Sequence, residues 1–437
     1  MKGVTMNAKT RATLVIIGAF LSLTATTGSV LGSLPMYVVP MALRFGVSPA
    51  TSGVAFTFLA AGSFIAAFFL GAVVKTLKGS KTVIVGGLLA AAGFLGVAYA
   101  PNVYVFWICG ALLGAAITWA GVAIGQIYVT RWFVTNRGFF SGVIGVGEFA
   151  GTLLFSFTIA NFIKDGNIVV GAQVTALIVF AVCLIVGLFL IKGFPEDYSL
   201  QPVGAETVDT SASASAPAGE VPGISYSEAI KKPILWIFLS GIAVLAIGQN
   251  TFIGQQAAVY TSIGMTPVLV ATLMSSYSAA KVANKILFGI ISDRVGLRFG
   301  ILYTSVLFIT GILLLTFAGT FGLLLVAAIC IGSGAGMVAN AGTLVIAKMF
   351  GRKDLVKLGP LPHTLAALGG IAGPLLFAFL FGLSGGTYLL PLIVTASIIT
   401  LFLILSMISV RPSNMFETEY SLTNPKRSKK MQEESTK

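Results

Sequence analysis

The feature that most constrains the fold of this chain is the recurrence, from end to end, of apolar runs long enough to cross a lipid bilayer. A transmembrane helix needs about 20 mostly apolar residues. The 437 residues are 56% hydrophobic and only 9% charged, far outside the soluble range. Twelve runs are long enough, at residues 12–39, 51–74, 82–100, 103–130, 138–163, 169–191, 233–261, 268–292, 299–318, 321–347, 355–383 and 387–410. Because a backbone in lipid must satisfy its hydrogen bonds internally, the sequence predicts an all-α membrane protein with twelve transmembrane helices.

Lysine and arginine are distributed unevenly over the loops between these runs. If the N-terminus is cytoplasmic, 23 of the 27 basic residues fall on the cytoplasmic side, whereas Arg44 and Lys164 fall on the opposite side. This asymmetry predicts that both termini are in the cytoplasm, and the compact loops favour the cell inner (plasma) membrane. The net charge of +13 is therefore a topology signal, and we predict no binding to nucleic acid.

Residue types that carry enzymatic chemistry are scarce. The three cysteines, Cys109, Cys183 and Cys330, all lie in apolar runs, where they are typical of small core residues. The chain has one histidine and 14 scattered acidic residues. We therefore predict no catalytic residues, no metal site, no cofactor and no enzymatic activity.

One long polar segment divides the chain into two parts, each with six runs. Its stretch 211–219 is rich in serine, alanine and proline, which is typical of a flexible linker. The predicted domains are a six-helix bundle at 1–191, a cytoplasmic linker at 192–232, a second six-helix bundle at 233–410 and a cytoplasmic tail at 411–437.

Two landmarks recur at almost the same offset in the two parts. Gly71 and Gly289 each open a loop and are 218 positions apart, while Arg131 and Lys348, each two residues before a phenylalanine, are 217 apart. The agreement indicates an internal duplication. Two pseudo-repeat halves with a site between them at mid-membrane are the expected plan of a transporter.

The loop after the eighth run carries a recognisable motif. Gly289, Asp293, Arg294, Gly296 and Arg298 have the spacing G-x-x-x-D-R-x-G-x-R, and on this motif the chain resembles the major facilitator superfamily over nearly its whole length. The resemblance implies the major facilitator fold and a gating loop in which Asp293 and the arginines hold neighbouring helix ends. The first-half copy departs from the motif, because Lys75 and Thr76 stand where the aspartate and the arginine would be.

A second segment narrows the resemblance. Arg131-Trp-Phe, followed by Arg137-Gly and Ser141-Gly, is similar to the W-F-x-x-x-R-G-x-x-S-G segment of the oxalate/formate antiporter and monocarboxylate transporter branch. In that branch a substrate-binding cation precedes the eighth-span loop, where this chain has Lys285. Proton-linked carriers of the branch place an acid one turn earlier, at the position of Lys281. Oxalate exchangers place a second cation in the eleventh span, where His363 lies near the matching position but out of register.

Lys281 and Lys285 lie in the eighth apolar run, four residues apart and on one helix face. A charge at mid-membrane costs about 2.5–3.5 kcal/mol and needs a partner or a water-filled cavity. No carboxylate lies within a turn of either lysine, so we predict that the counter-charge is an anionic substrate. Two alternatives stay open: the lysines extend to the cytoplasmic face, or they form a structural ion pair with Glu148.

Two further residues are candidates for ion coupling. Glu148 is the acidic residue that lies well inside an apolar run of the first half, among Gly145, Gly147 and Gly151. It has three possible roles: it pairs with a lysine, it binds and releases a proton, or it caps a tight helix contact. His363 lies next to Pro362 and either titrates near physiological pH or is a satisfied structural group.

Polar residues in other runs complete the predicted substrate site. Gln249, Gln256 and Tyr260 fall near one face of the seventh run, where lipid cannot satisfy them, so they bind substrate or hold helices together. Weaker candidates for the same site are Tyr37, Trp119, Gln126 and Asn340.

The sequence as a whole favours a secondary transporter that moves an organic anion by alternating access. Substrate that neutralises both lysines would let the loaded carrier reorient, while the empty carrier resists, and this predicts anion exchange. The alternative is a proton-coupled monocarboxylate symporter, in which Glu148 or His363 titrates. The expected partners are a small organic anion and the lipid bilayer, and the expected functional unit is a monomer.

Overall fold

The computed structural model describes residues 7–135, 137–198, 200–204, 223–351 and 353–411. Within these ranges the chain is helical, and extended pairing is limited to isolated bridges, Phe133 with Val203 and Gly223 with Gly351. Residues 205–222 of the predicted linker and 412–437 of the predicted tail lie outside the described residues. The division into domains therefore stays a prediction.

Twelve helical segments follow one another in the described ranges. They are α1 (Ala8–Phe45), α2 (Pro49–Leu77), α3 (Gly79–Tyr99), α4 (Val103–Trp132), α5 (Arg137–Lys164), α6 (Ile168–Leu190), α7 (Pro233–Ile253), α8 (Pro267–Arg294), α9 (Leu297–Phe317), α10 (Phe321–Ala335 and Val338–Phe350), α11 (Pro360–Leu383) and α12 (Leu389–Ser409). Ten of these are long and apolar enough to cross a membrane.

The other two, α8 and α10, do not meet this requirement of length and apolar character, each for a different reason. α8 is 28 residues long, but four charged residues, Lys281, Lys285, Asp293 and Arg294, lower its hydropathy. α10 is divided at Gly336 and Met337. Both coincide with predicted apolar runs, so the prediction of an all-α membrane protein with twelve spans is confirmed.

Four interruptions lie well inside their spans. α1 contains a π-helical turn at Thr24–Gly28, and α4 bends at Gly121. α7 breaks at Gly254 and continues as the short helix Gln256–Ser262, and α10 breaks at Gly336. α1 and α7 are each the first helix of a set of six, and α4 and α10 are each the fourth, so the interruptions fall in corresponding helices. The recurrence is what an internal duplication would produce.

The two ends of the bundle differ in charge. Because twelve spans alternate in direction, α1 begins and α12 ends at the same end, which we call the basic face; Lys75, Arg131, Arg294 and Lys348 lie there. The opposite end, the distal face, includes Arg44. We call α1–α6 the first half and α7–α12 the second half.

The two halves are joined on the distal side of the bundle. The Thr57 hydroxyl donates to the Ile371 carbonyl at 3.0 Å, and the Gln255 side chain donates to the Ala50 carbonyl at 3.3 Å. The hydroxyl oxygens of Ser156 and Ser275 lie 3.2 Å apart. These contacts hold the two halves together on this side.

At the basic face the ion pairs join groups of the same half. Arg131 binds Glu196 at 3.1 Å, and Lys348 binds Asp293 at 3.5 Å. In the contact between α5 and α8, Lys285, which lies nearer this face, is more exposed than Lys281. We interpret the arrangement as a carrier that is open to the basic face.

Candidate substrate-binding site

The centre of the site is a charge triad formed by Glu148 of α5 with Lys281 and Lys285 of α8. The Lys281 ammonium donates to Glu148 Oε1 at 2.6 Å, and the Lys285 ammonium donates to Oε2 at 3.1 Å. The side-chain exposure is 6% for Glu148, 17% for Lys281 and 24% for Lys285. One carboxylate therefore bridges two ammonium groups across the contact between the halves, and exposure increases toward the basic face.

Helix geometry and a close contact place both lysines on the surface that faces α5. A four-residue spacing puts them on one face of α8. On another side of α8, a Cβ at Gly336 of α10 would lie 2.6 Å from the Lys281 carbonyl oxygen and 3.2 Å from the Lys285 amide nitrogen. Only a residue without a side chain fits there. Gly336 therefore allows α10 to pack directly against the backbone of α8 at the two lysines.

Glycines of α5 position Glu148 in the same way. A Cβ at Gly147 would lie 2.7 Å from the Phe20 carbonyl oxygen, and a Cβ at Gly151 would lie 2.7 Å from the Gly28 Cα atom. A Cβ at Gly145 would meet no atom within 4 Å. The sequence-based expectation that these glycines allow close helix contact therefore applies to Gly147 and Gly151, which pack on α1, and Gly145 plays no such part.

Buried polar atoms without a protein partner occur on the helices around the triad. Among the described residues, the hydroxyls of Tyr37 and Tyr260, Nε2 of Gln249 and Oε1 of Gln256 are buried and make no hydrogen bond to protein. Since a buried polar group without a partner costs about 1–3 kcal/mol, these four predicted residues retain unused capacity to bind a polar ligand.

Tyr277 belongs to the same group and was missed by the sequence analysis. It lies four residues before Lys281 on α8, and its buried hydroxyl makes no hydrogen bond within the described part of the protein. The spacing 277, 281, 285 places all three side chains on one helix face. That spacing was the available signal, but an isolated tyrosine in an apolar run is equally typical of packing.

Two weaker candidates use their polar atoms to join helices. The Trp119 indole donates to the Ala66 carbonyl at 3.0 Å, which ties α4 to α2. Gln126 accepts a hydrogen bond from the Ser141 hydroxyl at 2.8 Å, which ties α4 to α5. The side chain of Asn340, a third candidate, lies outside the described residues.

His363 lies apart from the triad along its own helix. It is an exposed residue in the first turn of α11, three positions after Pro360, at the basic face. Glu148, by contrast, is buried between helices. The structure thus brings one of the two coupling candidates into contact with the lysines and leaves the other at the surface.

The predicted gating loop holds the basic-face ends of the second half. Asp293 pairs with Lys348 at the end of α10, and the Arg298 guanidinium donates to the Met407 carbonyl at 3.4 Å. Gly296 adopts φ +120°, a value that side chains other than glycine's rarely allow. Gly289 is half-buried, and Arg294 is exposed.

The first half uses different contacts at the corresponding place. Lys75 stands where the motif has aspartate, and a lysine cannot pair with Arg131. Arg131 binds Glu196 of the segment after α6, and the Arg137 guanidinium donates to the Phe133 carbonyl at 2.6 Å. A carboxylate from outside the motif therefore neutralises Arg131.

Both described ends of the linker pair with equivalent loops in the two halves. Val203 donates its amide to the Trp132 carbonyl at 2.8 Å, and Ile224 donates to the Phe350 carbonyl at 2.8 Å. The Tyr226 amide also donates to the Asp354 carboxylate at 2.7 Å. This amide, together with nearby lysines, holds the pKa of Asp354 below its usual range, so the contact is complete at neutral pH.

Comparison with known proteins agrees with this architecture. A sequence profile of the Major Facilitator Superfamily matches residues 15–261 and 240–421. The uncharacterized MFS-type transporter YhjX of Escherichia coli (strain K12) is 24% identical over 331 residues, which cover 72% of this chain and 76% of YhjX. The uncharacterized MFS-type transporter YcxA of Bacillus subtilis (strain 168) is 29% identical over 125 residues, or 28% of this chain and 31% of YcxA.

Solved structures share the fold at low sequence identity. The nucleoside transporter NupG aligns with a TM-score of 0.70 and 13% identity, over 93% of this chain and 100% of NupG. A bacterial homologue of the human lysosomal transporter Spinster, in an inward-facing and occupied conformation, aligns with a TM-score of 0.59 and 15% identity, over 92% of this chain and 96% of that one. The described residues contain no group of three or more potential metal ligands. The profile match over nearly all of the chain, together with the twelve-helix architecture, leads to one conclusion: this multi-pass membrane protein belongs to the Major Facilitator Superfamily, a family of transporters rather than enzymes.

Proposed function

We propose that this protein is a secondary transporter that carries a small organic anion, a carboxylate or dicarboxylate, across the membrane by alternating access. The observation that carries the proposal is the pair of α8 lysines, which share one carboxylate between the two halves. Two ammonium groups and one carboxylate leave one positive charge at membrane depth. Such a charge is costly without a partner, and an anionic substrate supplies one.

The bridge to Glu148 is compatible with a binding role for the lysines. A lysine that merely extended to the membrane surface would not bend toward a buried carboxylate on another helix. A purely structural ion pair with Glu148 would need only one lysine. The second lysine adds repulsion between the two ammonium groups, and one carboxylate does not cancel both positive charges. The neighbouring hydroxyls of Tyr277 and Tyr260 offer additional donors to a carboxylate.

The distribution of basic residues supports an orientation. By the positive-inside rule, the basic face is the cytoplasmic face, so that both termini are cytoplasmic and the conformation described is inward-open. A prokaryotic inner membrane is the corresponding location. Both sides of the proposed site come from one chain, which supports a functional monomer.

Anion exchange is the favoured mode of transport. The loaded carrier reorients with its charge compensated, whereas the empty carrier has to close around a residual positive charge. The similarity of the Arg131–Gly145 segment and of Lys285 to the oxalate/formate antiporter branch supports the same mode. The contact of Glu148 with both lysines favours a second candidate, proton-coupled monocarboxylate symport, because a carboxylate at the binding lysines is placed to accept a proton.

The proposal is tested by ligand-induced thermal stabilisation of the detergent-purified protein, with a panel of mono- and dicarboxylates. A ligand at 100 times its Kd adds about 2.7 kcal/mol if it binds only the folded state. We expect one class of carboxylate to stabilise the protein, and Lys281→Gln and Lys285→Gln to abolish the effect. The matched control is Lys164→Gln, which removes an exposed lysine at the distal end of α5.

Transport is then measured in proteoliposomes. Exchange predicts uptake only when unlabelled anion is present inside, whereas symport predicts uptake that follows an imposed pH gradient. Stabilisation that survives both lysine substitutions, or that comes only from neutral or cationic compounds, would make the lysines structural and refute anion transport.

A further inference from the structure

The charge of the triad is determined by residues that lie within it. On the helices that pack against α5 and α8, charged residues occur near the helix ends, such as Arg11 and Arg44 of α1, Arg298 of α9 and Lys348 of α10. α6 contains no charged residue. Within the described parts of these helices, no other charged side chain lies at this depth to offset the single positive charge that two lysines and one glutamate leave.

The other titratable groups inside the spans that pack against α5 and α8 are phenols and thiols, which are neutral at physiological pH. They include Tyr37 on α1, Tyr128 on α4, Tyr260 in the short helix after α7, Tyr277 on α8 and Tyr303 on α9, together with Cys109 on α4, Cys183 on α6 and Cys330 on α10. The Tyr303 hydroxyl donates to Asn284 at 2.7 Å. Phenols and thiols ordinarily titrate at about pH 10 and 8.5. Glu148 is thus the group in this neighbourhood through which an added proton changes the charge of the site.

A monovalent anion brings the site to neutrality, whereas a divalent anion leaves one negative charge in excess. If Glu148 takes up one proton from solution, the site carries two positive charges and a divalent anion then neutralises it. Protonation also releases both lysines from the carboxylate, so that each ammonium is available to one end of the ligand. In this scheme the proton is carried with the dianion and is released when the dianion leaves.

We infer that Glu148 sets the valence of the transported anion: the ionised form selects a monocarboxylate, and a dicarboxylate binds only together with one proton. This inference rests on the proposed function, because it names the substrate class of the same site. Two lysines one turn apart would by themselves favour a divalent anion, and the negative charge of Glu148 shifts that preference to a monovalent one.

The experiment uses pairs of anions of equal size and different charge. Oxalate is compared with oxamate, in which an amide replaces one carboxylate, and succinate is compared with succinamate. Dissociation constants are measured by thermal stabilisation of the purified full-length protein at neutral pH. We expect the wild type to bind the monovalent member of a pair at least tenfold more tightly.

Three proteins give predictions that depend only on the charge of the site. In Glu148→Gln the site carries two positive charges, so the preference reverses toward the divalent member. In the double variant Glu148→Gln with Lys281→Gln it carries one positive charge again, and the preference returns to the monovalent member. The same ranking in all three proteins would overturn the inference.

A pH series on the wild type provides a test that does not depend on the folding of any variant. If one proton is taken up per dianion, the Kd for oxalate falls about tenfold for each unit by which the pH is lowered from 8 to 6, while the Kd for oxamate stays constant. A constant oxalate Kd would overturn the inference.

The outcomes distinguish a failure of the inference about Glu148 from a failure of the proposed anion transport. Anion binding that requires Lys285 but ignores valence refutes the role of Glu148 and leaves anion transport standing. If no carboxylate stabilises the wild type, both fail together.

Discussion

At the scale of single residues, the polar side chains of the membrane interior divide into those bonded to protein and those that are not. Trp119 and Gln126 are bonded to neighbouring helices. The side chains of Tyr260 and Tyr277 end in buried hydroxyls without a protein partner in the described ranges. Substitution of the first kind should affect folding, and substitution of the second kind should affect ligand binding.

Tyr277→Phe tests this division. Because the hydroxyl forms no bond to protein, its removal should leave the melting temperature unchanged. It should weaken anion binding about tenfold, the effect of losing roughly 1.4 kcal/mol. Thermal stabilisation with and without anion measures both quantities.

The control for this prediction is Tyr303→Phe. Its hydroxyl donates to Asn284, and its loss leaves a buried amide oxygen without that donor. The melting temperature should fall while the anion Kd stays the same. A Tyr277→Phe protein that is destabilised but binds normally would contradict the assignment of Tyr277 to the site.

At the scale of elements, glycine contacts decide where the charged side chains meet. α5 approaches the π-helical turn of α1 through Gly147 and Gly151, and α10 approaches α8 at Gly336. In the membrane, close packing of this kind replaces the hydrophobic effect as a source of helix association. Shifts of α5 or α8 at these contacts would separate Glu148 from the lysines.

Gly151→Ala should destabilise the protein by about 1–3 kcal/mol, the usual effect of overpacking. The added methyl group would lie 2.7 Å from the Gly28 Cα atom. Gly145→Ala is the matched control, because it lies on the same helix, gains the same helix propensity and meets no atom within 4 Å. Equal melting temperatures for the two variants would rule out a tight α1–α5 contact.

At the scale of the whole molecule, the halves touch through the distal contacts and through the charge triad, an arrangement that we interpret as a carrier open to the basic face. Alternating access requires the distal contacts to break in each cycle, so a covalent bond across them should stop transport. Ser156 of the first half and Ser275 of the second half offer a suitable position, since their hydroxyl oxygens are 3.2 Å apart.

In a background without Cys109, Cys183 and Cys330, the double variant Ser156→Cys with Ser275→Cys should form a disulfide on oxidation. Uptake into proteoliposomes should fall to background and recover with reductant, while anion binding persists because the basic face stays open. The two single-cysteine variants serve as controls. Full transport by the cross-linked protein would show that these helices do not separate during the cycle.

The properties that are linear along the chain could be predicted from the sequence. Twelve spans, their alternation and the excess of basic residues at one face follow from the length of apolar runs and the position of charges, because lipid imposes these requirements on each segment separately. Lys281 and Lys285 could be singled out for the same reason. The lower hydropathy of α8 follows directly from their presence.

Tertiary structure decided which polar residues meet. Glu148 is 133 positions from Lys281, and their contact depends on the rotation and separation of α5 and α8, which glycine contacts with α1 and α10 determine. The same packing assigned the polar atoms of Trp119 and Gln126 to neighbouring helices, left the Tyr277 hydroxyl without a protein partner and placed His363 at the surface. Apolar runs in lipid specify that helices form, but the face that each one presents to its neighbours is settled only when all of them pack together.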